Sequence, residues 1–174
     1  SDKIAKEAIK NKAEVPFKRP KKLARNNSPE IKTWQHAINF LNKNNDIDLI
    51  VSVPTTSPLR KVSDIDNCIK RAIKNKFDIV FTVTSSSKNP YFNIVELKKK
   101  KINLVCATKQ KVQRRQDAPK CYDLTTVCYV FKPNYIIKNN NLFKGKVGIF
   151  EVPKNRAIDI DQIDDYKLVK ALSK

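Results

Sequence analysis

The hydrophobic positions of this chain fall into short runs whose period changes along its length. In residues 1–12, Ile4, Ala5, Ala8 and Ile9 recur at helical spacing, and a helix is expected there. Arg19-Pro20 then forbids a continuing helix, because the residue before a proline is pushed out of the α region. A second helix is predicted over about 29–43. Ser28 is its N-cap, Pro29 sits in its first turn, and Ile31, Trp34, Ile38 and Leu41 form one apolar stripe.

Residues 48–53 make a nearly continuous apolar run stopped by Pro54, the pattern of a buried parallel strand. Residues 62–75 predict a third helix with Val62, Ile65, Cys68, Ile69 and Ala72 inward, and 78–83 a second buried strand. Strand, helix and strand at this spacing read as a βαβ unit, which implies a parallel sheet and a right-handed crossover. From residue 91 the pattern changes. Residues 91–97 and 102–106 predict an antiparallel hairpin, 127–131 another strand, 134–138 a short helix, 147–152 a further strand and 161–172 a closing amphipathic helix. The loop 107–121 is long, polar and basic, and loops of that length in compact domains are usually functional or disordered.

At 174 residues the chain suits a single domain, 1–174, with a composition ordinary for a soluble globular protein. No apolar run is long enough for a membrane helix and no signal peptide opens the chain. Cys68, Cys106, Cys121 and Cys128 lack metal-site spacing and read as reduced core thiols of a cytoplasmic protein. Methionine is absent and the first residues already read as a helix in full stride, so an amino-terminal truncation is expected. The only glycines, Gly145 and Gly148, exclude a Gly-rich phosphate loop. A formal net charge of +19 raises nucleic-acid binding as a different class of function, a basic non-enzymatic module. The lysines are spread along the whole chain, however. The densest run, Lys98 to Lys101, falls where the hairpin needs a solvated turn and lacks the interleaved aromatics that stack bases. No specific nucleic-acid partner is expected.

Three constellations carry candidate chemistry. Four of the 17 acidic residues fall within 159–165. In an extended segment Asp159 and Asp161 point the same way and suit one Mg²⁺, with Ile160 turned into the core. Helix capping by Asp161, Asp164 and Asp165 is the rival account, and it leaves Asp159 without a task. Thr55-Thr56-Ser57-Pro58-Leu59-Arg60 follows a buried strand, the place where open α/β sheets bind ligands; the alternative is a turn that merely leads to a helix capped by Ser63. Arg114-Arg115-Gln116 suits a carboxylate or phosphate through two-pronged guanidinium binding, or is a solvated charge run. His36, beside Trp34 in a helix, reads as a packing residue.

In order and register, AEVPFKRPKKLA (13–24), TSPLR (56–60), RRQDAP (114–119) and Asp159-Ile160-Asp161 with Asp165 resemble the acylneuraminate cytidylyltransferases, the CMP-sialic acid synthetases. Ser1-Asp2-Lys3-Ile4 is similar to that family's helix start. The resemblance implies an α/β, Rossmann-like three-layer nucleotidyltransferase fold, amino-terminally truncated. A small antiparallel dimerisation extension at about 90–150 would serve a homodimer and complete the partner's site. It implies transfer of CMP from CTP to the anomeric hydroxyl of a nonulosonic acid, with pyrophosphate leaving. Asp159 and Asp161 would hold Mg²⁺ and, with Arg115, form the catalytic set. Arg19, Thr56 and Ser57 are expected on the nucleotide side, and Arg60, Arg114, Arg115 and Gln116 on the sugar side. The family's triphosphate loop is not in these residues, so the 174-residue chain alone is expected to be inactive. Pro54 stands where the family has a sugar-contacting glutamine, Thr125-Thr126 replaces Asn-Gly, and Pro29-Glu30 replaces serines. These departures look more like the branch that activates legionaminic-type sugars; an octulosonate cytidylyltransferase is the nearest alternative.

Overall fold

The computed structural model describes residues 1–25, 27–41, 46–108 and 112–173. They form two compact units, one of residues 1–50 with 132–144, the other of 51–131 with 145–174.

In the first unit, α1 (Asp2–Lys10) starts where expected, with the Ser1 hydroxyl accepting from the Ile4 amide at 3.4 Å. None of its residues is buried, and Ile4 and Ile9 remain exposed. Helix α2 (Glu30–Leu41) buries Ile31, Trp34 and Ile38, as the stripe predicted. Its expected end at 42–43 lies outside the described residues. Helix α2 begins at Glu30, two residues beyond Ser28, whose hydroxyl donates to the Lys22 carbonyl. The face of α2 meets α4 (Pro133–Lys138), where Gln35 Nε2 donates to the Ile136 carbonyl at 2.8 Å. His36 packs edge-on against Phe17, ring centroids 5.2 Å apart.

The second unit is built on a mixed sheet. Strands β1 (Ile50–Ser52), β2 (Ile79–Ser85), β5 (Tyr122–Phe131) and β6 (Val147–Glu151) lie in the order β1-β5-β2-β6. Helix α3 (Val62–Asn75) packs on β5, β2 and β6. The expected strand-helix-strand unit is present in sequence order, but β1 and β2 are not neighbours. The antiparallel β5 lies between them, while β2 and β6 pair in parallel from Ile79↔Val147 to Val83↔Glu151. A strand buried on both faces reads the same whichever way its neighbour runs, so the apolar run could not reveal this. Strand β5 also begins five residues earlier than its apolar stretch, since Tyr122, Asp123 and Leu124 still pair with Ser85, Thr84 and Val83.

Between Phe81 and Val83 the β2–β5 register shifts, which leaves buried backbone groups without ladder partners. Thr82, fully buried, supplies them. Its hydroxyl donates to the Cys128 carbonyl at 2.8 Å, and accepts from the Cys128 amide at 3.1 Å and from the Thr125 hydroxyl at 2.9 Å. At the sheet's edge, Gly148 lies so close to Phe77 that an added Cβ would stand 2.5 Å from its ring. Of the four cysteines only Cys68 and Cys128 are buried; Cys106 and Cys121 are partly exposed, contrary to a core role for all four.

Helix α3 departs from its predicted inward face. Val62 is exposed, whereas Asp64 is 2% exposed and serves as the helix's capping acid, its carboxylate accepting from the Lys61 amide at 2.9 Å. Ser63 is therefore not the cap. The hairpin β3 (Val95–Lys98) and β4 (Lys101–Leu104) is antiparallel, as expected, with Lys99 and Lys100 at φ 48° and 65° in its two-residue turn. The closing helix, α5, runs Ile163–Leu172.

The Thr82 hydroxyl generates a prediction. Thr82→Val keeps the shape but leaves three buried partners unsatisfied, so stability should fall by about 1–3 kcal/mol in urea unfolding. Thr82→Ser should retain most of it.

Candidate active site

Parallel β2 and β6 deliver their carboxyl ends to one edge of the sheet, and antiparallel β5 begins there. Three of the predicted segments meet that edge. The segment after β6 turns at once, with the Val152 amide donating to the Val83 carbonyl at 2.8 Å, and runs through a 3₁₀ turn at Lys154–Arg156 to Asp159-Ile160-Asp161. There the Ile160 amide donates to the Thr56 carbonyl at 2.8 Å, which clasps the aspartate segment to the TSPLR loop. The same loop is tied to β5, because Ser57 Oγ lies 2.5 Å from Thr126 Oγ1.

The aspartates divide into distinct roles. Asp165 is a cap: its carboxylate accepts from the Gln162 amide at 2.8 Å and from the Asp161 amide at 3.1 Å. Asp164 is exposed and pairs with Lys167. Capping therefore accounts for Asp165 and leaves Asp159 and Asp161 unused. Asp159 Oδ1 is buried with no hydrogen-bond partner, an arrangement that calls for a cation or donor. The neighbouring Arg60 Nε is likewise buried and unpartnered, while its guanidinium donates to the Pro54 carbonyl. Burial lowers the pKa of Arg60, against the opposing pull of Cys128 and Asp159. Arg60 thus faces its own loop and Asp159. Ser57 is fully buried and anchors the loop, and Thr56 contributes its carbonyl to the clasp.

One strong ion pair braces this arrangement. Arg156 donates to Asp64 through Nε at 2.9 Å and Nη2 at 2.7 Å. Burial would raise the Asp64 pKa, but the Arg156 hydrogen bond, the Lys61 amide and both nearby cations outweigh it, and the carboxyl sits below its ordinary value. Neither residue stood out in the sequence.

Along β2, Ser85 lies two residues beyond Val83, roughly 7 Å of strand. There a cleft of about 340 Å³ opens, lined by Ser85, Ser86, Asn89, Arg115, Gln116 and Lys120 among others. Arg115 donates to the Ser87 carbonyl and sits in a 3₁₀ turn at Arg115–Asp117. Asn89, 8% exposed, holds the opposite wall by donating to the Pro119 carbonyl at 2.9 Å. Arg114 does not line the cleft; its guanidinium is engaged by Asp117 at 2.9 Å. Arg19 belongs to the first unit, exposed in an extended stretch before the 3₁₀ turn at Lys21–Leu23. Part of the basic loop, 109–111, lies outside the described residues.

No protein-family model matches the chain. Individual proteins do. It is 32% identical over 174 residues to a CMP-N,N'-diacetyllegionaminic acid synthase of Campylobacter jejuni, covering 99% of this chain and 73% of the relative. The chain belongs to the acylneuraminate cytidylyltransferase family. To post-translational flagellin modification protein B of Campylobacter coli this cytidylyltransferase is 31% identical, over all of its own length and 74% of the relative's. To a pseudaminic acid cytidylyltransferase of Campylobacter jejuni it is 26% identical over 99% of its length and 75% of the relative's. The fold is that of a solved 4-diphosphocytidyl-2C-methyl-D-erythritol synthase of Anaerococcus prevotii. The TM-score is 0.58 at 12% identity, over 99% of this chain and 78% of that one. The α/β nucleotidyltransferase architecture and the enzyme class read from the sequence are thereby established.

The residues present fit a divalent cation of modest protein ligation. Among the described residues no cluster of three His, Cys, Asp or Glu could hold a metal. Mg²⁺, however, commonly takes one or two carboxylates and completes its shell with water and substrate phosphates. The unpartnered Asp159 oxygen and the uncommitted Asp161 side chain match that demand.

The Asp64–Arg156 pair also sets an acid limit on the cytidylyltransferase's stability. A carboxyl whose folded pKa is depressed contributes stability in full above its unfolded value, about 4, and loses it as pH falls through the folded value. The melting-temperature gap between the parent protein and Asp64→Asn should therefore be largest above about pH 5 and shrink steadily below pH 4.

Proposed function

We propose that this cytidylyltransferase transfers CMP from CTP to the anomeric hydroxyl of a nonulosonic acid of the legionaminic type. The sugar oxygen bonds to the α-phosphorus, the bond from that phosphorus to the oxygen bridging to the β-phosphate breaks, pyrophosphate leaves with that oxygen, and the hydroxyl proton passes to solvent water. The observation that carries this reading is the Ile160–Thr56 clasp, which sets an unpartnered buried aspartate oxygen against the TSPLR loop at the sheet edge where the basic cleft opens. Asp159 and Asp161 would hold Mg²⁺, which supplies charge neutralisation on the phosphates. Phosphoryl transfer depends mainly on positioning and electrostatics, and that is what these residues provide. Arg115, Gln116 and Lys120 suit the sugar's carboxylate and hydroxyls, in a cleft within the size range of small-ligand sites. Thr56 is assigned to the nucleotide. Arg60 acts on the site from behind, through Asp159 and the Pro54 carbonyl.

The choice of sugar rests on the likeness to the diacetyllegionaminic acid synthase and on the changed sugar-side positions Pro54 and Thr125-Thr126. The cytoplasm is the assigned compartment, which the four free cysteines support. A homodimer completes the reading. In the β3–β4 hairpin, Val95 pairs with Leu104 and Leu97 with Ile102, so all four apolar side chains share one face. Leu97 and Ile102 are 73% and 72% exposed. A two-stranded hairpin of this kind is marginal alone, and a second copy would cover it.

In kinetic measurements made on the full-length enzyme, turnover of diacetyllegionaminate should exceed that of N-acetylneuraminate; a clear preference for the latter would refute the sugar assignment. Asp159→Asn should lower kcat/KM by roughly 100-fold or more at saturating Mg²⁺ without unfolding the protein, and near-parental rates would remove Asp159 from the site. Leu97→Lys with Ile102→Lys should shift the sedimentation coefficient from dimer to monomer, and an unchanged value would displace the interface from the hairpin.

A further inference from the structure

The Asp64–Arg156 pair is more elaborate than capping requires. Accepting from the Lys61 amide completes the cap of α3 with one carboxylate oxygen, yet both oxygens also take hydrogen bonds from Arg156. Asp64 is 2% exposed and the Arg156 side chain 23% exposed, so two charges have been drawn out of water. Such burial is a poor route to stability, since an apolar pair of the same volume usually serves as well. What a two-pronged pair adds is direction, because both partners are fixed in plane and angle.

Its place in the chain shows what that direction controls. Asp64 stands in the first turn of α3, four residues beyond Arg60 of the TSPLR loop. Arg156 closes the 3₁₀ turn three residues before Asp159. Between the Val152–Val83 bond and the Ile160–Thr56 clasp, the described hydrogen bonds from this segment to the rest of the unit are those of Arg156. Remove it, and the run leading to Asp159 is held only at its ends.

We propose that Asp64 and Arg156 are a positioning pair that fixes the backbone carrying Asp159 for divalent-cation binding. The proposal rests on the reading of Asp159 as a cation ligand. Neither residue of the pair touches the cation or substrate. Losing either should weaken cation binding and lower kcat while leaving KM for the sugar unchanged, because the cleft at Ser85 and Arg115 is built from other segments.

The test uses Mn²⁺ as the probe, with free Mn²⁺ read by electron paramagnetic resonance, on the full-length parent enzyme and, in the same full-length background, Asp64→Asn, Arg156→Gln, Arg156→Lys, the Asp64→Asn/Arg156→Gln double variant and Asp159→Asn. Thermal unfolding and steady-state kinetics accompany each. Both single removals should weaken Mn²⁺ binding on the order of 10-fold, the double variant no more than either, and Arg156→Lys should recover part of the loss. A lower melting temperature with parental Mn²⁺ affinity in Arg156→Lys and Arg156→Gln would overturn the positioning role and leave a merely structural pair. Should Asp159→Asn bind Mn²⁺ as tightly as the parent, the ligand reading itself fails, and that failure is visible without the other variants.

Discussion

The hydrogen bond from the Ile160 amide to the Thr56 carbonyl joins two segments far apart in the chain, and the chemistry of the site depends on that meeting. A carboxylate next to a Ser- and Thr-rich loop is only a useful cation site if its distance from that loop is held. Backbone-to-backbone bonding does this without using any side chain, so Asp159 stays uncommitted. The remaining anchors serve the same end. Val152 fastens the segment to β2, Arg156 to the start of α3, and Asp165 ties down the amides of Asp161 and Gln162.

Charge explains why so much fastening is needed. In a chain with 36 basic and 17 acidic residues, an acidic segment has many cationic suitors, and any of them could pair with Asp159. Several acids near the site are indeed occupied: Asp64 by Arg156, Asp117 by Arg114, Asp164 by Lys167. Asp159 instead keeps one buried oxygen without a hydrogen bond beside Arg60, whose guanidinium is directed to the Pro54 carbonyl. The sheet beneath supplies rigidity. Its central strand β2 is buried along six of seven residues, and the Thr82 hydroxyl repairs the one place where pairing with β5 breaks.

Much of this was legible in the residues, for reasons that are local. The stripe of α2, the lysine turn of the hairpin and the apolar runs of β2 and β6 follow from period and turn chemistry alone. The motifs TSPLR, RRQDAP and Asp159-Ile160-Asp161 pointed to the family because their order and spacing belong to it, and the relatives agree on the family. The individual roles were less legible. Ser57 looked like a ligand hydroxyl and is a buried anchor; Arg114 looked paired with Arg115 in purpose and instead holds Asp117. For Ser57 the deciding partner lies far along the chain, on β5, where no local pattern points; for Arg114 it is Asp117, three residues on, in the capping box of a one-turn 3₁₀ helix.

The sequence by itself determined the element types, the enzyme family and the segments that build the site, because hydrophobic period and motif spacing are properties of consecutive residues. Only the tertiary structure decided that β5 enters the sheet between β1 and β2, that Asp64 is buried against Arg156, and that one oxygen of Asp159 is buried without a hydrogen-bond partner. Each of those outcomes depends on which distant groups compete for the same space or the same charge. That competition is settled by packing in three dimensions, where a carboxylate with several possible cations close by keeps the one whose geometry and burial suit it best.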